Sequence, residues 1–320
     1  MAKRCISGVL LLDKPYGLSS NQALQKAKYL YAAAKSGHTG TLDPMATGML
    51  PICMGEATKF TSILLNASKT YEAIIRLGFK STTGDAEGEI VKLSDIDVVR
   101  LTDRYCETVL RQFVGTIQQI PPMHSALKYQ GKPLYAYARE GKSVERKPRF
   151  VHIYEIKVNS LLANELAITV RCGTGTYIRT LAEDIGKALG CGCAYLASLR
   201  RSSIGLFDLS QARTLEMLKE MNRENRDFCL LPVDSILNEF PSLSLDKSEA
   251  KKILQGCVLS EKTELNDKME EASPVKSIRL YYQQLFLGLG EISIDRTIKP
   301  KRLLSDTYLI NQDHGKLLFN

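Results

Sequence analysis

The sequence has no tryptophan and only four histidines in 320 residues. Stacking on a planar ligand therefore falls to tyrosine, phenylalanine, histidine or arginine. The eight cysteines (Cys5, Cys53, Cys106, Cys172, Cys191, Cys193, Cys229 and Cys257) include no Cys-x-x-Cys pair. Only Cys191 and Cys193 are close, and no zinc-ligand spacing is present. The expectation is reduced thiols, no bound metal and a cytoplasmic protein. No run approaches the ~18 apolar residues of a transmembrane helix. The opening Met-Ala-Lys-Arg-Cys-Ile-Ser-Gly carries two positive charges without a signal-peptide apolar stretch behind them. Neither membrane association nor export is expected.

What is present is an ordinary globular composition, 44% hydrophobic and 24% charged, with a net charge of +8. The length suits one large domain plus a smaller one. The positive charge is uneven. Lys128, Lys132, Arg139, Lys142, Arg146, Lys147 and Arg149 face only Glu140 and Glu145, with Tyr129, Tyr135 and Tyr137 interleaved. Such a stretch suits RNA, because the cations neutralise phosphates and the tyrosines stack on bases; a solvated surface loop is the plainer alternative. A second basic group, Arg296, Lys299, Lys301 and Arg302, lies near the C-terminus.

The hydrophobic pattern predicts a strand at 8–12 and a helix opened by a Ser19/Gln22 capping box. Residues 37–48 read as an ordered loop. Strands are expected through Tyr71, Ala73, Ile75 and Leu77, then at 116–120, 151–158 and 165–172. A helix capped by Thr102 is expected to stop at Gly115, and another to run from about Thr176 to Leu189 with Gly190 after it. From about Glu239 the character changes. An acidic stretch, Glu261–Glu271, precedes a hairpin expected to pair 277–289 with 290–294. Strands and helices alternate without a βαβ rhythm, which points to a mixed α+β fold. Residues 240–320 are expected to form a small, mostly β domain behind a larger one at 1–239.

The residue most open to a chemical role is Asp43, in Gly37-His38-Thr39-Gly40-Thr41-Leu42-Asp43-Pro44-Met45-Ala46-Thr47-Gly48. An Asp before Pro is ordinarily a turn former or cap. Three flanking glycines permit close approach of a substrate, and His38, Thr41 and Thr47 add polar groups. No second carboxylate is near enough in sequence for a glycosidase-type pair. A catalytic Asp43 would need a positive partner from elsewhere. Arg171-Cys172-Gly173-Thr174-Gly175-Thr176-Tyr177-Ile178-Arg179 offers one, since Arg179 could fork onto a carboxylate while Tyr177 packs beneath a planar ring. Spacing alone leaves this pairing open beside a partly buried Tyr177 and a solvated Arg179.

The segment from Gly37 to Pro51 resembles the signature of the TruB family of tRNA pseudouridine synthases. Other segments follow in the family's order: Leu10–Pro15 with Gly17, Gly55–Lys59, Lys69-Thr70-Tyr71, Thr83-x-Asp85-x-x-Gly88, Pro121-Pro122-x-x-Ser125-Ala126-Leu127-Lys128, Gly175–Thr180 and Leu199-Arg200-Arg201. The resemblance spans roughly residues 8–205. Thr41 and Met45 depart from the family's usual Ala and Leu, and the C-terminal part resembles its PUA domain only loosely.

The resemblance implies a largely antiparallel mixed-sheet core with flanking helices, a basic insertion at about 124–150, and a PUA-like RNA-binding domain at 240–320. It implies isomerisation of uridine 55 in the TΨC loop of tRNA, by glycosidic cleavage, rotation of the base and reattachment through C5. Asp43 matches the essential aspartate, Tyr71 the tyrosine that stacks on the base and assists at C5, and Arg179 the aspartate's partner. Tyr177 and Leu199 match pocket residues, and His38 the histidine that fills the space left by the flipped base. Lys128, Lys132 and Arg146 of the insertion are expected to hold the T-arm stem-loop. No cofactor, no guide RNA and a monomer are expected. Residues 240–320 are expected to add affinity rather than chemistry. An RNA-binding or RNA-folding protein, and a guide-dependent relative, are the competing readings.

Overall fold

The structure is a computed structural model that describes residues 2–94, 101–260, 275–312 and 314–319. The acidic stretch Glu261–Glu271 lies outside the described residues. Strand β1 (Gly8–Lys14) is buried on both faces, which its unbroken Val-Leu-Leu-Leu run demands. Leu10 and Leu12 join one hydrophobic cluster, while Val9 and Leu11 join a second on the opposite side. Helix α1 (Ser20–Tyr31) carries the expected capping box.

Strands β2 (Ser36–His38), β3 (Thr47–Met54) and β4 (Lys69–Leu77) follow. The segment expected to be wholly loop thus begins and ends in strands. A small pair, β5 (Phe79–Ser81) with β6 (Ile90–Lys92), precedes β7 (Gly115–Gln119). Thr102 caps the helix Asp103–Leu110, but a 3₁₀ turn at Arg111–Phe113 intervenes, so Gly115 opens β7 rather than stopping the helix. Within the basic insertion, β8 (Lys128–Tyr129) pairs with β9 (Lys132–Pro133), and one short helix, Leu134–Arg139, follows.

Strands β10 (Arg149–Leu162) and β11 (Glu165–Cys172) form a long hairpin. The helix Ile178–Ala188, which begins two residues later than expected, leads to β12 (Ala194–Ile204) and the short β13 (Phe207–Asp208). The main sheet runs β1-β3-β12-β4-β11-β10-β7, with β2 beside β3 and β13 beside β12. Every pairing is antiparallel except β3 with β12. The core is therefore mixed and largely antiparallel, as expected.

A second sheet holds β14 (Ser242–Leu245), β15 (Val275–Tyr282), β16 (Leu285–Ser293) and β17 (Ile298–Leu303), in that order. The expected hairpin is present with different limits. Its turn falls at Gln283-Gln284, where Gln283 takes a φ of 52°. Gly288 and Gly290 lie inside β16 because β17 presses against them; a Cβ on Gly288 would come 2.4 Å from Arg302 O. This sheet shares the second hydrophobic cluster with Val9, Leu11, Met49 and Phe60 of the main domain. Ser305 N also donates to Glu56 Oε2 at 2.9 Å, and Lys59 Nζ to Leu303 O at 2.9 Å. Among the described residues, no helix is long and apolar enough to cross a membrane.

Candidate active site

The one parallel strand pairing of the main sheet sets the site. Where β12 runs beside β3, Arg201 lies opposite Gly48 on one side and Tyr71 of β4 on the other. Gly48 has a φ of 103°, and a Cβ there would meet Arg201 O at 2.3 Å, so only glycine fits. The loop between β2 and β3, which carries Asp43, leads directly into this close contact.

That loop is tied down by its neighbours. Ser20 Oγ donates to Leu42 O at 3.0 Å and accepts from Leu42 N at 2.7 Å. Gly17 N donates to Pro44 O at 2.8 Å. The buried Lys14 Nζ donates to Leu18 O at 2.6 Å and Pro15 O at 3.0 Å, and reaches Pro44 O at 3.4 Å. Burial lowers the Lys14 ammonium to about 8 against the pull of Asp43.

Arg179 comes from the first turn of the helix Ile178–Ala188. Its N-cap residue, Tyr177, makes no side-chain cap. Gln119 of β7 substitutes, accepting from Tyr177 N at 3.0 Å and donating to Tyr177 O at 3.3 Å. The Arg179 guanidinium is 6% exposed; NH2 lies 3.0 Å from Asp43 Oδ2 and NH1 lies 3.6 Å from Asp85 Oδ2. It also donates to Thr83 O at 3.3 Å and His124 O at 2.7 Å. These contacts fix the fork in one orientation.

Burial raises the Asp43 carboxyl above its ordinary value; Arg179 and Lys14 pull the other way, and Asp85 adds to the rise. Burial likewise raises the Tyr71 phenol, and Arg201, which hydrogen-bonds it, opposes that. Arg201 Nε donates to Met49 O at 2.7 Å and NH2 to Gly40 O at 3.2 Å. One buried cation therefore joins the loop before Asp43 to the ring of Tyr71.

These groups line a cavity of about 330 Å³. The structure brings Asp43, Tyr71, Tyr177, Arg179 and Leu199 together on its walls. His38 is in β2 outside this lining; its Nδ1 is buried without a hydrogen-bond partner among the described residues, and burial, then Arg201, lower its imidazole. Lys128 and Lys132 sit on the β8–β9 hairpin and do not line the cavity, although Leu127, next to Lys128, does. Lys132 pairs with Glu140 and lies 4.9 Å above the Tyr137 ring. Arg146 NH1 donates to Pro121 O at 3.0 Å and faces a neighbouring cavity of about 560 Å³.

Reasoning from sequence gave no role to Arg201, Asp85, Lys14 or Lys69. All four stood inside the quoted motifs, and being buried and charged is their shared property. Lys69 Nζ donates to Leu65 O at 2.5 Å and Ala67 O at 2.6 Å, and burial lowers it to about 8. Among the described residues, no group of three or more His, Cys, Asp or Glu is placed to hold a metal ion. The arrangement offers an anionic oxygen held by a forked cation, beside an aromatic ring and open to solvent on one side.

Comparison with known proteins bears on what such a site does. Residues 28–178 match the TruB family pseudouridylate synthase (N terminal domain). Residues 179–238 match the tRNA pseudouridylate synthase B C-terminal domain, and 241–304 the Pseudouridine synthase II TruB, C-terminal. The chain is 55% identical over 306 residues to tRNA pseudouridine synthase B of Nitrosospira multiformis, covering 95% of this chain and 97% of that protein. It is 51% identical over 296 residues to the protein of the same name in Nitrosomonas europaea, covering 92% and 95%. Among solved structures it resembles a chain of an H/ACA RNP bound to a substrate RNA containing 2′-deoxyuridine, with a TM-score of 0.69, 20% identity and coverage of 93% and 85%. It also resembles a chain of a Cbf5-Nop10-Gar1 complex, with a TM-score of 0.65, 23% identity and coverage of 90% and 79%. At that identity the likeness speaks for the fold alone.

Proposed function

The chain belongs to the TruB family of pseudouridylate synthases and is a tRNA pseudouridine synthase, and from this we propose that it isomerises uridine 55 in the TΨC loop without metal, cofactor or guide RNA. The observation that carries the reading is the 3.0 Å pairing of Asp43 with Arg179 beside Tyr71 in one cavity.

The target base must leave the RNA stack, at a cost of a few kcal/mol, and be held in the cavity. Tyr71 supplies the ring on which it lies. Asp43, kept ionised by Arg179, acts at the ribose as the C1′–N1 bond breaks, either by attacking C1′ or by taking a proton to leave a glycal. The freed uracil turns and bonds through C5, whose proton is removed with the help of Tyr71. Burial keeps the Tyr71 phenol protonated, so accepting that proton requires passing on its own; the adjacent Arg201 charge eases this. Cleavage and rejoining balance in bonds and electrons, so the reaction needs no co-reactant.

His38, with an orphaned ring nitrogen, fills the space vacated by the base. Lys128, Lys132 and Arg146 grip the T-arm from the insertion, and residues 240–320 add RNA affinity. One chain holds every group named, which supports a monomer acting in the cytoplasm, where the tRNA is. The test is incubation with an unmodified T-arm stem-loop, followed by mapping of pseudouridine. Modification at the position of uridine 55 is expected; its absence there, with modification of full-length tRNA elsewhere, overturns the assignment of position.

A further inference from the structure

The outer face of β10 carries side chains that the reaction does not use. Phe150, His152 and Tyr154 alternate with the buried Val151 and Ile153, so all three stand on the exposed face. Phe150 is 72% exposed. A large ring left in water at the end of a sheet forgoes the stabilisation its burial would bring. His152 and Tyr154 meet edge to face at 4.8 Å, and the Arg171 guanidinium of β11 stacks on Tyr154 at 5.1 Å. Thr116 Oγ1, 3.1 Å from His152 Nδ1, steadies the imidazole.

The strip lies on the sheet face opposite Tyr71 and meets the rim of the catalytic cavity only at the end of the sheet, through Gly173. Gly173, which lines that cavity, donates its N–H to His152 O at 2.8 Å. A Cβ on Gly173 would lie 3.7 Å from the Tyr154 hydroxyl. Arg171 is the one cation on the strip, with Glu155 opposite it in the β10–β11 ladder, and can pair with a single phosphate.

We propose that Phe150, His152 and Tyr154, with Arg171, form a stacking platform for an unpaired RNA base flanking the target uridine. The proposal rests on the tRNA-modifying function given above. Side chains two apart on a strand are spaced by about 7 Å, the separation that one planar base needs between two rings. On that strand repeat a base can enter between Phe150 and His152, whereas the His152 and Tyr154 rings already meet at 4.8 Å. Aromatic rings with an interposed arginine bind unpaired bases regardless of sequence, since every base offers a flat face. Flipping the uridine breaks its stacking with a neighbour, and the platform supplies that neighbour with a new partner.

The test measures binding of the T-arm stem-loop to full-length protein carrying Asp43→Asn, which blocks turnover. Adding Phe150→Ala or His152→Ala is expected to weaken binding about 10-fold without altering the salt slope, within the range stacking contributes. Arg171→Ala is expected to weaken binding and reduce the salt slope by about one. With a stem-loop made abasic at the positions flanking the target, the Phe150 and His152 effects are expected to vanish. Binding within twofold of the parent for both ring variants overturns the platform and leaves the face to some other partner. Equal losses on intact and abasic RNA overturn it too. Absence of pseudouridine from both stem-loop and tRNA with the unsubstituted enzyme removes the functional reading and the platform with it. Phe150 and His152 are exposed, so thermal melting of their variants is expected to match the parent.

Discussion

At the scale of single residues, the site works through the conflict between burial and pairing at Asp43. Burial favours the neutral acid, while Arg179 and Lys14 favour the anion, and the balance leaves the carboxyl above its ordinary value. If the anion is the active form, activity falls as pH drops through that raised value, so the acidic limb of the rate profile should lie above the usual aspartate range. Arg179→Ala removes the largest opposing influence and should move that limb to still higher pH while lowering turnover; a pH–rate profile under single-turnover conditions checks both. Asp43→Asn keeps the shape and loses the charge, with turnover expected to fall by about 10²- to 10⁴-fold or more and T-arm affinity little changed. Near-normal turnover in that variant would remove the carboxylate from the chemistry. Asp85 bears on the same balance, since it shares the guanidinium of Arg179 at 3.6 Å while being 3% exposed.

Among elements, the decisive feature is the close passage of β12 against β3 at Gly48. Gly48→Ala would place a methyl 2.3 Å from Arg201 O in a backbone region that L residues avoid. It should cost about 2–4 kcal/mol, read as a lower denaturant midpoint, and turnover should fall with it because Arg201 and the Asp43 loop move together. Much of the local structure was legible because its causes are local. Ser19 with Gln22 announced α1, alternation announced β4, and Glu165–Cys172 matched β11 residue for residue. What was hidden depended on contacts distant in sequence. The turn at Gln283-Gln284 has no glycine to announce it, while Gly288 is inside a strand because Arg302 crowds it. Arg201 had no role in the sequence reading, because its burial follows only from β3 and β4 lying on either side of it. The ion pair of Asp43 with Arg179 was one option among several by spacing; the family resemblance, not periodicity, singled it out.

For the whole molecule, the question is whether the C-terminal sheet is a detachable RNA-binding module. From sequence, removing residues 240–320 was expected to lower affinity and spare chemistry. The packing argues otherwise for stability. Phe60 meets Phe286 at 5.8 Å between ring centroids, and the cluster they share runs from Val9 and Met49 into β15 and β16. Burial of a large apolar side chain is worth about 1.5–3 kcal/mol, so uncovering three of them forfeits about 5–9 kcal/mol. That approaches the entire stability of an ordinary domain. The truncated chain should therefore unfold at much lower denaturant or fail to accumulate, and a lost activity there would say nothing about RNA contacts. Charge substitutions separate the two effects. Replacing Lys128 and Lys142 of the insertion, or Lys299 and Arg302 of β17, by glutamine leaves the shared cluster intact. Each phosphate contact removed should flatten the dependence of log affinity on log salt by about 0.9, with the melting temperature held. If the insertion variant shows the parent's salt slope, those lysines make no phosphate contact; if the β17 variant alone changes it, the RNA extends across the second sheet.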